Sequence, residues 1–285
     1  MKRLIPRDLT PSSAIIFVSL IVGSVLSILP ILYMASTAFK PLSEILVYPP
    51  RFFVRQPTLV NFTELNYVLG KTITPLSRYI FNSVVVSGGT VFVSIFIATL
   101  AGYSLAKRNF PGKNLIFLII VSGLMFSPHV TLIPRYMILK RFALLDSYWA
   151  LLLPWISGSY GVFLMKQFIE PVPDELLEAA KIDGASQWQI FRRVIVPLCK
   201  PAWCTLSIFL FMWSWNDYLS PIIFVKSDAM YTLPVIIDRV NSVVSVDRLG
   251  ASAAGSFLIT VPVVIIFLVF QKYVVETMAH SGLKG

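Results

Sequence analysis

Six long apolar stretches constrain this chain more than any other feature of its sequence. They run approximately over residues 14–39, 79–106, 115–139, 148–168, 202–225 and 251–275. A helix that crosses a bilayer needs about 20 apolar residues, so each stretch is long enough to span a membrane. None of them shows the alternation of polar and apolar residues that a membrane β-strand requires. The sequence therefore predicts an all-α integral membrane protein with six transmembrane helices in one domain over residues 1–285.

The composition agrees with a membrane class and argues against nucleic-acid binding. Hydrophobic residues make up 56% of the chain and charged residues 13%, whereas a soluble domain has about 25% charged residues. The net charge is +10, but the basic residues are scattered between the apolar stretches and form no basic stripe. Lysine and arginine collect beside membrane spans and contact lipid headgroups. We therefore expect these lysine and arginine residues to contact membrane lipid and not nucleic acid.

The basic residues also predict the orientation of the chain. The first apolar stretch is longer than the roughly 7–15-residue core of a secretory signal, which indicates a retained anchor. Basic residues favour the cytoplasmic side of a membrane. The N-terminal arm and the short turn over residues 106–114, which carries Lys107, Arg108 and Lys113, are the strongest indicators. They predict a multi-pass membrane protein with both termini in the cytoplasm.

A polar segment between the fourth and fifth stretches, residues 173–197, reads as two short helices joined by a glycine turn. We expect Asp174 to cap the first helix. Gly184 ends that helix, because glycine readily adopts the left-handed conformation that helix ends often need. Ser186 and Gln189 have the spacing of a capping box, which starts the second helix. On this geometry alone, an ordinary pair of surface helices is an equally good interpretation.

The residues of this segment also match a known motif at fixed spacing. The matching positions are Glu178, Ala179, Ala180, Asp183, Gly184, Ala185, Phe191, Val194, Val196 and Pro197. They resemble the E-A-A-x3-G-x9-I-x-L-P loop of binding-protein-dependent ABC importer permeases, with valine in place of the usual Ile and Leu. Outside the loop, four further segments make the chain similar to the maltose-type sugar permeases: residues 103–107, 110–113, 231–234 and 282–285.

The resemblance implies a fold, a set of partners and a function. The fold is the six-helix type I importer permease with a cytoplasmic coupling helix. The partners are a second six-span permease subunit, two ABC ATPase subunits that use ATP and Mg²⁺, and an extracytoplasmic solute-binding protein. The solute is a carbohydrate: an oligosaccharide or a related sugar, polyol or sugar phosphate. The coupling helix docks on the ATPase, and by position its contacts are Glu178, Ala179, Ala180, Asp183, Gly184 and Ala185.

The sequence predicts no catalytic residue, cofactor or metal on this chain itself. Residues 70–72 read Gly-Lys-Thr like the end of a phosphate loop, but the pattern needs a glycine where Leu65 stands. Cys199 and Cys204 do not combine with the histidines into a metal-ligand spacing. His129, in the third stretch, is expected to be a packed histidine and not a proton relay.

The solute path is predicted in the fifth apolar stretch, whose one carboxylate is Asp217. A charge at the bilayer centre costs about 2.5–3.5 kcal/mol, so Asp217 should face the interior of the bundle or water. Trp213, Trp215, Asn216 and Asp217 would then line the path, with indole faces stacked on sugar rings and polar groups bound to hydroxyls. The alternative is that Asp217 lies near the outer interface or pairs within the protein, and that the tryptophans form an interfacial belt.

Three other functions are open on the sequence alone. A permease of the same importer type for amino acids, peptides or an ion would carry the same loop. A secondary transporter or channel would need no ATP, but it should have ionisable residues in several spans or a repeated half. An integral membrane enzyme is the least favoured, because no spacing of nucleophile, base and orienting group is present.

Overall fold

The computed structural model describes residues 11–70, 74–156, 158–242, 245 and 248–282. This described part is mainly α-helical and contains no β-strand. The N-terminal arm, residues 71–72 and residues 283–285 lie outside it. The predictions that depend on those residues, including the placement of both termini, therefore stay predictions.

The helices follow one another along the chain, and residues 46–59 form a long connection between the second and the third. In order they are α1 (Pro11–Ala38), α2 (Leu42–Ile45), α3 (Val60–Gly70), α4 (Leu76–Lys107), α5 (Lys113–Ser122), α6 (Leu132–Arg141), α7 (Tyr148–Ile156), α8 (Ser159–Ile169), α9 (Asp174–Ile182), α10 (Gln187–Ile190), α11 (Val196–Leu198), α12 (Lys200–Trp215), α13 (Leu219–Phe224), α14 (Leu233–Ser242) and α15 (Leu249–Gly282). A π-helical turn, Phe191–Ile195, joins α10 to α11.

Three described helices are each long and apolar enough to cross a membrane: Ser13–Ala38, Leu76–Lys107 and Leu249–Tyr273. Two bent pairs pass the same test when each is taken together, namely α7 with α8 and Gln187–Leu198 with α12. The described residues thus contain up to five candidate spans, and α5 adds a shorter apolar helix. The all-α membrane class is confirmed, whereas the count of six spans stays a prediction.

The third predicted span is not one continuous helix. The apolar stretch 115–139 is divided between α5, which continues as a 3₁₀ turn to Met125, and α6, which begins at Leu132. Pro128 lies in the gap. Proline has no backbone N–H to donate, and its ring disfavours the helical conformation of the residue before it. These two effects explain the break, which the apolar pattern does not reveal.

The fifth predicted span, residues 202–225, is also interrupted. Helix α12 ends at Trp215, and a separate short helix, α13, follows. In the gap, the Asn216 side-chain amide donates to the carbonyl oxygen one turn before it (2.7 Å), and Asp217 Oδ1 accepts the backbone N–H of Ser220 (3.0 Å). Asn and Asp side chains compete with helical hydrogen bonding in this way. The break therefore has a local cause.

The chain forms two compact units. One comprises Met1–Val68 and Val240–Leu258, and the other comprises Leu69–Arg239 and Ile259–Gly285. In the first unit, the buried Asn61 side chain donates to the backbone oxygens of Ala38 (2.9 Å) and Lys40 (2.7 Å), which ties α3 to the end of α1. The single domain predicted over residues 1–285 stays a prediction.

Helices α4 and α8 cross closely in the second unit. A Cβ atom placed on Gly102 of α4 would lie 2.8 Å from Met165 Cβ and 2.9 Å from the Lys166 backbone nitrogen of α8. A Cβ on Gly161 of α8 would lie 3.2 Å from Ala98 Cβ of α4. Small residues at such positions let helix backbones approach in membrane bundles. Helix α12 packs on the same pair through Ala202 and Leu206, both fully buried, and it completes the core.

Candidate functional site

Residues 173–197, which we call the 173–197 loop, comprise α9, a turn, α10 and the π-helical turn. One side of this loop is built into the core of α4, α8 and α12. Its side chains in that core are Leu177, Ile190, Phe191 and Ile195, all buried. The loop is thus a fixed part of the bundle and not a free connection.

Helix α9 ends in a Schellman motif at Gly184. The φ angle of Gly184 is +79°, and its N–H donates to the Lys181 oxygen (3.0 Å). The N–H of Ala185 donates to the Ala180 oxygen (2.9 Å). These two bonds define the motif, and Ala180 and Ala185 both pack against the core. The glycine turn predicted from the sequence is confirmed.

The two short helices begin in different ways. The capping box predicted at α10 is confirmed, because Gln189 N–H donates to Ser186 Oγ (3.3 Å) and Ser186 N–H donates to Gln189 Oε1 (2.7 Å). The cap predicted at α9 is wrong: Pro173 is the residue that precedes the helix, and Asp174 is already inside it. The Asp174 carboxylate instead pairs with Lys107 Nζ at 2.9 Å. This long-range ion pair replaces the local cap.

The six residues predicted to contact an ATPase divide between two faces of the loop. Ala180 and Ala185 are half-buried and pack inward. The exposed members are Glu178, Ala179, Asp183 and Gly184. The four exposed residues are therefore accessible to a partner, whereas the two inward alanines pack the loop against its own bundle.

Sequence reasoning missed large apolar side chains on the exposed side of the loop. Ile182 is 86% exposed, Trp188 53% and Leu176 49%. These three residues lie among the polar residues on the exposed side of the loop, in addition to the apolar residues that pack on the core, and this excess of apolar residues was visible in the sequence. Exposed apolar surface of this kind is characteristic of protein interaction sites.

A second candidate site is a cavity of about 310 Å³ where the two helix breaks meet, which we call the polar cavity. Its lining residues are Pro128, His129, Leu132, Arg135, Trp155, Met212, Trp213, Asn216, Asp217, Tyr218, Leu219 and Ser220. Non-helical backbone is tolerated at membrane depth where it lines a water-filled cavity. Discontinuous helices also form the substrate sites of many transporters.

The polar cavity combines aromatic faces with hydrogen-bonding and charged groups. The Trp213 ring contacts those of Tyr160 (5.3 Å between centroids) and Phe209 (5.6 Å), which fix its orientation. Arg135 and Asp217 carry opposite charges and attract each other across the cavity. A few polar groups placed among apolar walls are typical of small-molecule sites. No group of three or more His, Cys, Asp or Glu side chains suited to a metal ion occurs within the described residues.

The structure brings together three of the four residues predicted for a solute path. Trp213, Asn216 and Asp217 line the polar cavity. Trp215 does not: it is 3% exposed, and its Nε1 donates to the Ile259 oxygen of α15 (2.9 Å). Successive helical residues are about 100° apart, so residues 213 and 215 point to nearly opposite sides. His129 also differs from expectation, because it is exposed and lines the cavity.

Three comparisons place this architecture among known proteins. A family model described as "Binding-protein-dependent transport system inner membrane component" matches residues 94–280, which include the loop and the cavity. The arabinooligosaccharides transport system permease protein AraQ of Bacillus subtilis is 32% identical over 263 residues, which are 92% of each chain. Two crystal structures of bacterial transporters share the fold.

The first of those structures is an ABC transporter involved in the import of the acidic polysaccharide alginate. It matches with a TM-score of 0.80 at 21% identity, over 96% of this chain and 100% of that one. The second is an alginate ABC transporter in complex with an alginate pentasaccharide-bound periplasmic protein. It matches with a TM-score of 0.59 at 14% identity, over 89% and 91% of the two chains.

Proposed function

This chain belongs to the family of binding-protein-dependent transport system inner membrane components, and from this we propose that it is the permease subunit of an ATP-driven carbohydrate importer. The observation that carries the proposal is the 173–197 loop. Its inner side chains are buried in the core of the bundle, and its outer side exposes Glu178, Ile182 and Asp183. A segment that is fixed to the bundle on one side and open on the other is suited to receive force from a partner.

The partner that applies the force is an ATPase pair, on which ATP is hydrolysed with Mg²⁺. Coupling requires that the ATPases bind the inward-open and outward-open states of the permease with different free energies. When they close on ATP, they draw the two coupling loops of a permease heterodimer together. The Schellman turn and the capping box stiffen the loop, so it moves as a lever. Its buried side chains pass that movement to α4, α8 and α12.

The solute is a carbohydrate, as an oligosaccharide or a related sugar, polyol or sugar phosphate. The named substrates of the relatives, arabinooligosaccharides and alginate, support this class. The polar cavity supports it as well, because aromatic faces such as Trp213 suit sugar rings and the groups of Asn216 and Asp217 suit hydroxyls. A solute-binding protein outside the membrane delivers the sugar, as the periplasmic protein of the alginate transporter indicates.

We place the chain as a multi-pass protein in the cytoplasmic membrane, with the 173–197 loop and both termini in the cytoplasm. The contact between Lys107 and Asp174 (2.9 Å) supports this topology. It puts the basic turn after α4 on the same side as the loop, as the distribution of basic residues predicts. The other half of the translocation path belongs to a second six-span subunit.

Transport by the reconstituted complex tests the function. The permease, its partner permease, the ATPase and the solute-binding protein are assembled in proteoliposomes. Uptake is then measured for arabino-oligosaccharides, alginate oligosaccharides, dipeptides and free amino acids. We expect ATP-dependent uptake of an oligosaccharide. Uptake of peptides or amino acids alone would reject the carbohydrate class, and uptake driven by an ion gradient without ATP would reject the importer class.

Removing the charge of Asp217 should slow transport. In Asp217→Asn the side-chain oxygen that accepts the Ser220 N–H is kept, so the start of α13 is preserved while the negative charge is lost. A hydrogen bond to a charged group contributes about 1.5 kcal/mol or more, so its loss should lower the uptake rate about tenfold at solute concentrations well below saturation, where the rate depends on the strength of solute binding. Uptake of the identified oligosaccharide by the reconstituted variant measures this effect.

Asp228→Asn is the matched control for this prediction. Asp228 makes a surface ion pair with Arg239 (3.3 Å) and lies outside the polar cavity. Exposed pairs of this kind contribute little to stability, so its uptake should equal that of the wild type. Equal uptake by both variants would instead favour a purely structural role for Asp217 as the acceptor of the Ser220 N–H.

A further inference from the structure

Lys107, the last residue of α4, has its ammonium group enclosed by three oxygen atoms. Its side chain is only 6% exposed. The Nζ donates to the Glu170 backbone oxygen (3.0 Å) and to that of Val172, and it pairs with Asp174 Oδ1 (2.9 Å). A buried charge is costly unless it is paired and hydrogen-bonded. These contacts satisfy the charge and the hydrogen-bonding groups of the ammonium. All three oxygen atoms belong to residues 170–174.

That stretch is the connection between α8 and α9, so Lys107 binds at the hinge of the 173–197 loop. The carbonyl oxygens at the end of α8 lack helical partners and carry the negative end of the helix dipole. The carboxylate belongs to the first residue of α9. One cation therefore holds the end of one helix and the beginning of the next. This contact defines the direction in which α9 leaves α8.

The neighbouring charged residues make contacts other than those of Lys107. The Glu170 carboxylate is engaged by Lys166, whose Nζ lies 2.8 Å from both of its oxygens. Arg108 extends the contact to the second short helix, because its guanidinium donates to Gln187 Oε1. The same guanidinium stacks on the Tyr103 ring of α4 (5.7 Å). The end of α4 thus contacts the first residues of both α9 and α10.

We propose that Lys107 is a positioning residue of the transport cycle, which fixes the angle between α8 and α9 and so carries movement of the 173–197 loop into α4 and α8. The inference rests on the proposed coupling role of the loop. The buried apolar side chains hold the loop against the bundle, but apolar contacts are non-directional. The three polar contacts of Lys107 are directional and fix the angle at which α9 leaves α8. Without them the loop still packs, and it turns at the hinge when the ATPases close.

The first test is the amount of solute transported per ATP hydrolysed in the reconstituted complex. Lys107→Met keeps the apolar stem and removes the ammonium group. We expect the complex to assemble and hydrolyse ATP, while the ratio of solute to ATP falls about tenfold. Lys107→Arg retains a charged donor and should restore most of the ratio. Lys200→Met, the same change at an exposed lysine that begins α12, should leave the ratio unchanged.

The second test measures the hinge directly and needs neither solute nor ATPase. Nitroxide labels are attached at the exposed positions Ser104 of α4 and Lys181 of α9 in the purified permease, with Cys204 replaced by alanine and Cys199 left buried. The wild type and Lys107→Arg should give one narrow distance distribution. Lys107→Met should give a broad or shifted one.

Two results would overturn the inference. One is an unchanged distance distribution together with an unchanged ratio of solute to ATP in Lys107→Met. The other is a Lys107→Arg variant that behaves like Lys107→Met in both measurements, because the charge would then play no part. Failure of the wild-type complex to transport any solute would reject the proposed function instead, and the distance measurement would still report whether Lys107 fixes the hinge.

Discussion

Replacing Gly184 with valine should lower uptake by about tenfold while the permease stays inserted and bound to its ATPase. The φ angle of Gly184 is +79°, and this left-handed conformation costs a β-branched residue about 1–2 kcal/mol. A Cβ atom at this position meets nothing within 4 Å, so the penalty comes from the backbone and not from a clash. The turn relaxes, the Schellman bonds of the loop are lost, and α10 changes direction relative to α9. Uptake and ATPase co-purification measure the two parts of the prediction.

Gly112 offers a matched control for this effect. It has a φ angle of +82° and open space around its Cβ position, but it lies in the turn between α4 and α5. Gly112→Val should therefore carry a similar backbone penalty without disturbing the coupling loop. Gly184→Asn should retain transport, because asparagine tolerates the left-handed region. If Gly184→Val transports like the wild type, or if Gly112→Val loses as much transport, then the turn is not the coupling element.

Replacing Gly102 should destabilise the whole bundle and not its coupling alone. A Cβ atom there would lie 2.8 Å from Met165 Cβ and 2.9 Å from a backbone nitrogen of α8, so α4 and α8 must move apart. Overpacking of this kind costs about 1–3 kcal/mol for one methyl group and more for a larger side chain. Gly102→Ala should lower the thermal unfolding temperature of the purified permease. Gly102→Leu should give no folded protein, as judged by size-exclusion chromatography.

Gly88, on the same helix, provides the control for Gly102. No atom lies within 4 Å of a Cβ placed on it, so Gly88→Ala should be tolerated. Helix propensity makes alanine slightly more favourable than glycine at such a position. Equal losses of thermal stability in Gly88→Ala and Gly102→Ala would show that the loss comes from the reduced flexibility of the chain. The close crossing of α4 and α8 would then not explain the effect of Gly102→Ala.

The local devices of the loop were predictable because each depends on residues close in sequence. The capping box needs two side chains three positions apart, and the Schellman turn needs one glycine with the carbonyls of the preceding turn. The cap predicted at Asp174 failed for the opposite reason. Its carboxylate pairs with Lys107, which belongs to another helix, and no local sequence pattern predicts that partner.

The membrane-spanning stretches show the same division. The apolar pattern identified the long helices α1, α4 and α15, because about 20 apolar residues in a row have few other stable environments. It did not identify the breaks before α6 and after α12. The number of apolar residues in a stretch is the same whether the stretch forms one continuous helix or two helices with a break between them.

The sequence alone determined the all-α membrane class and the two-helix form of the 173–197 loop, since both follow from hydropathy and short-range spacing, and it indicated the family through the resemblance of the loop to a known motif. Only the tertiary structure decided that Trp213 faces the polar cavity while Trp215 is buried against α15. It also decided that the two helix breaks meet in one cavity and that Lys107 binds the hinge of the loop. The physical reason is that these contacts join residues far apart in the chain, and their partners are chosen by how the helices pack.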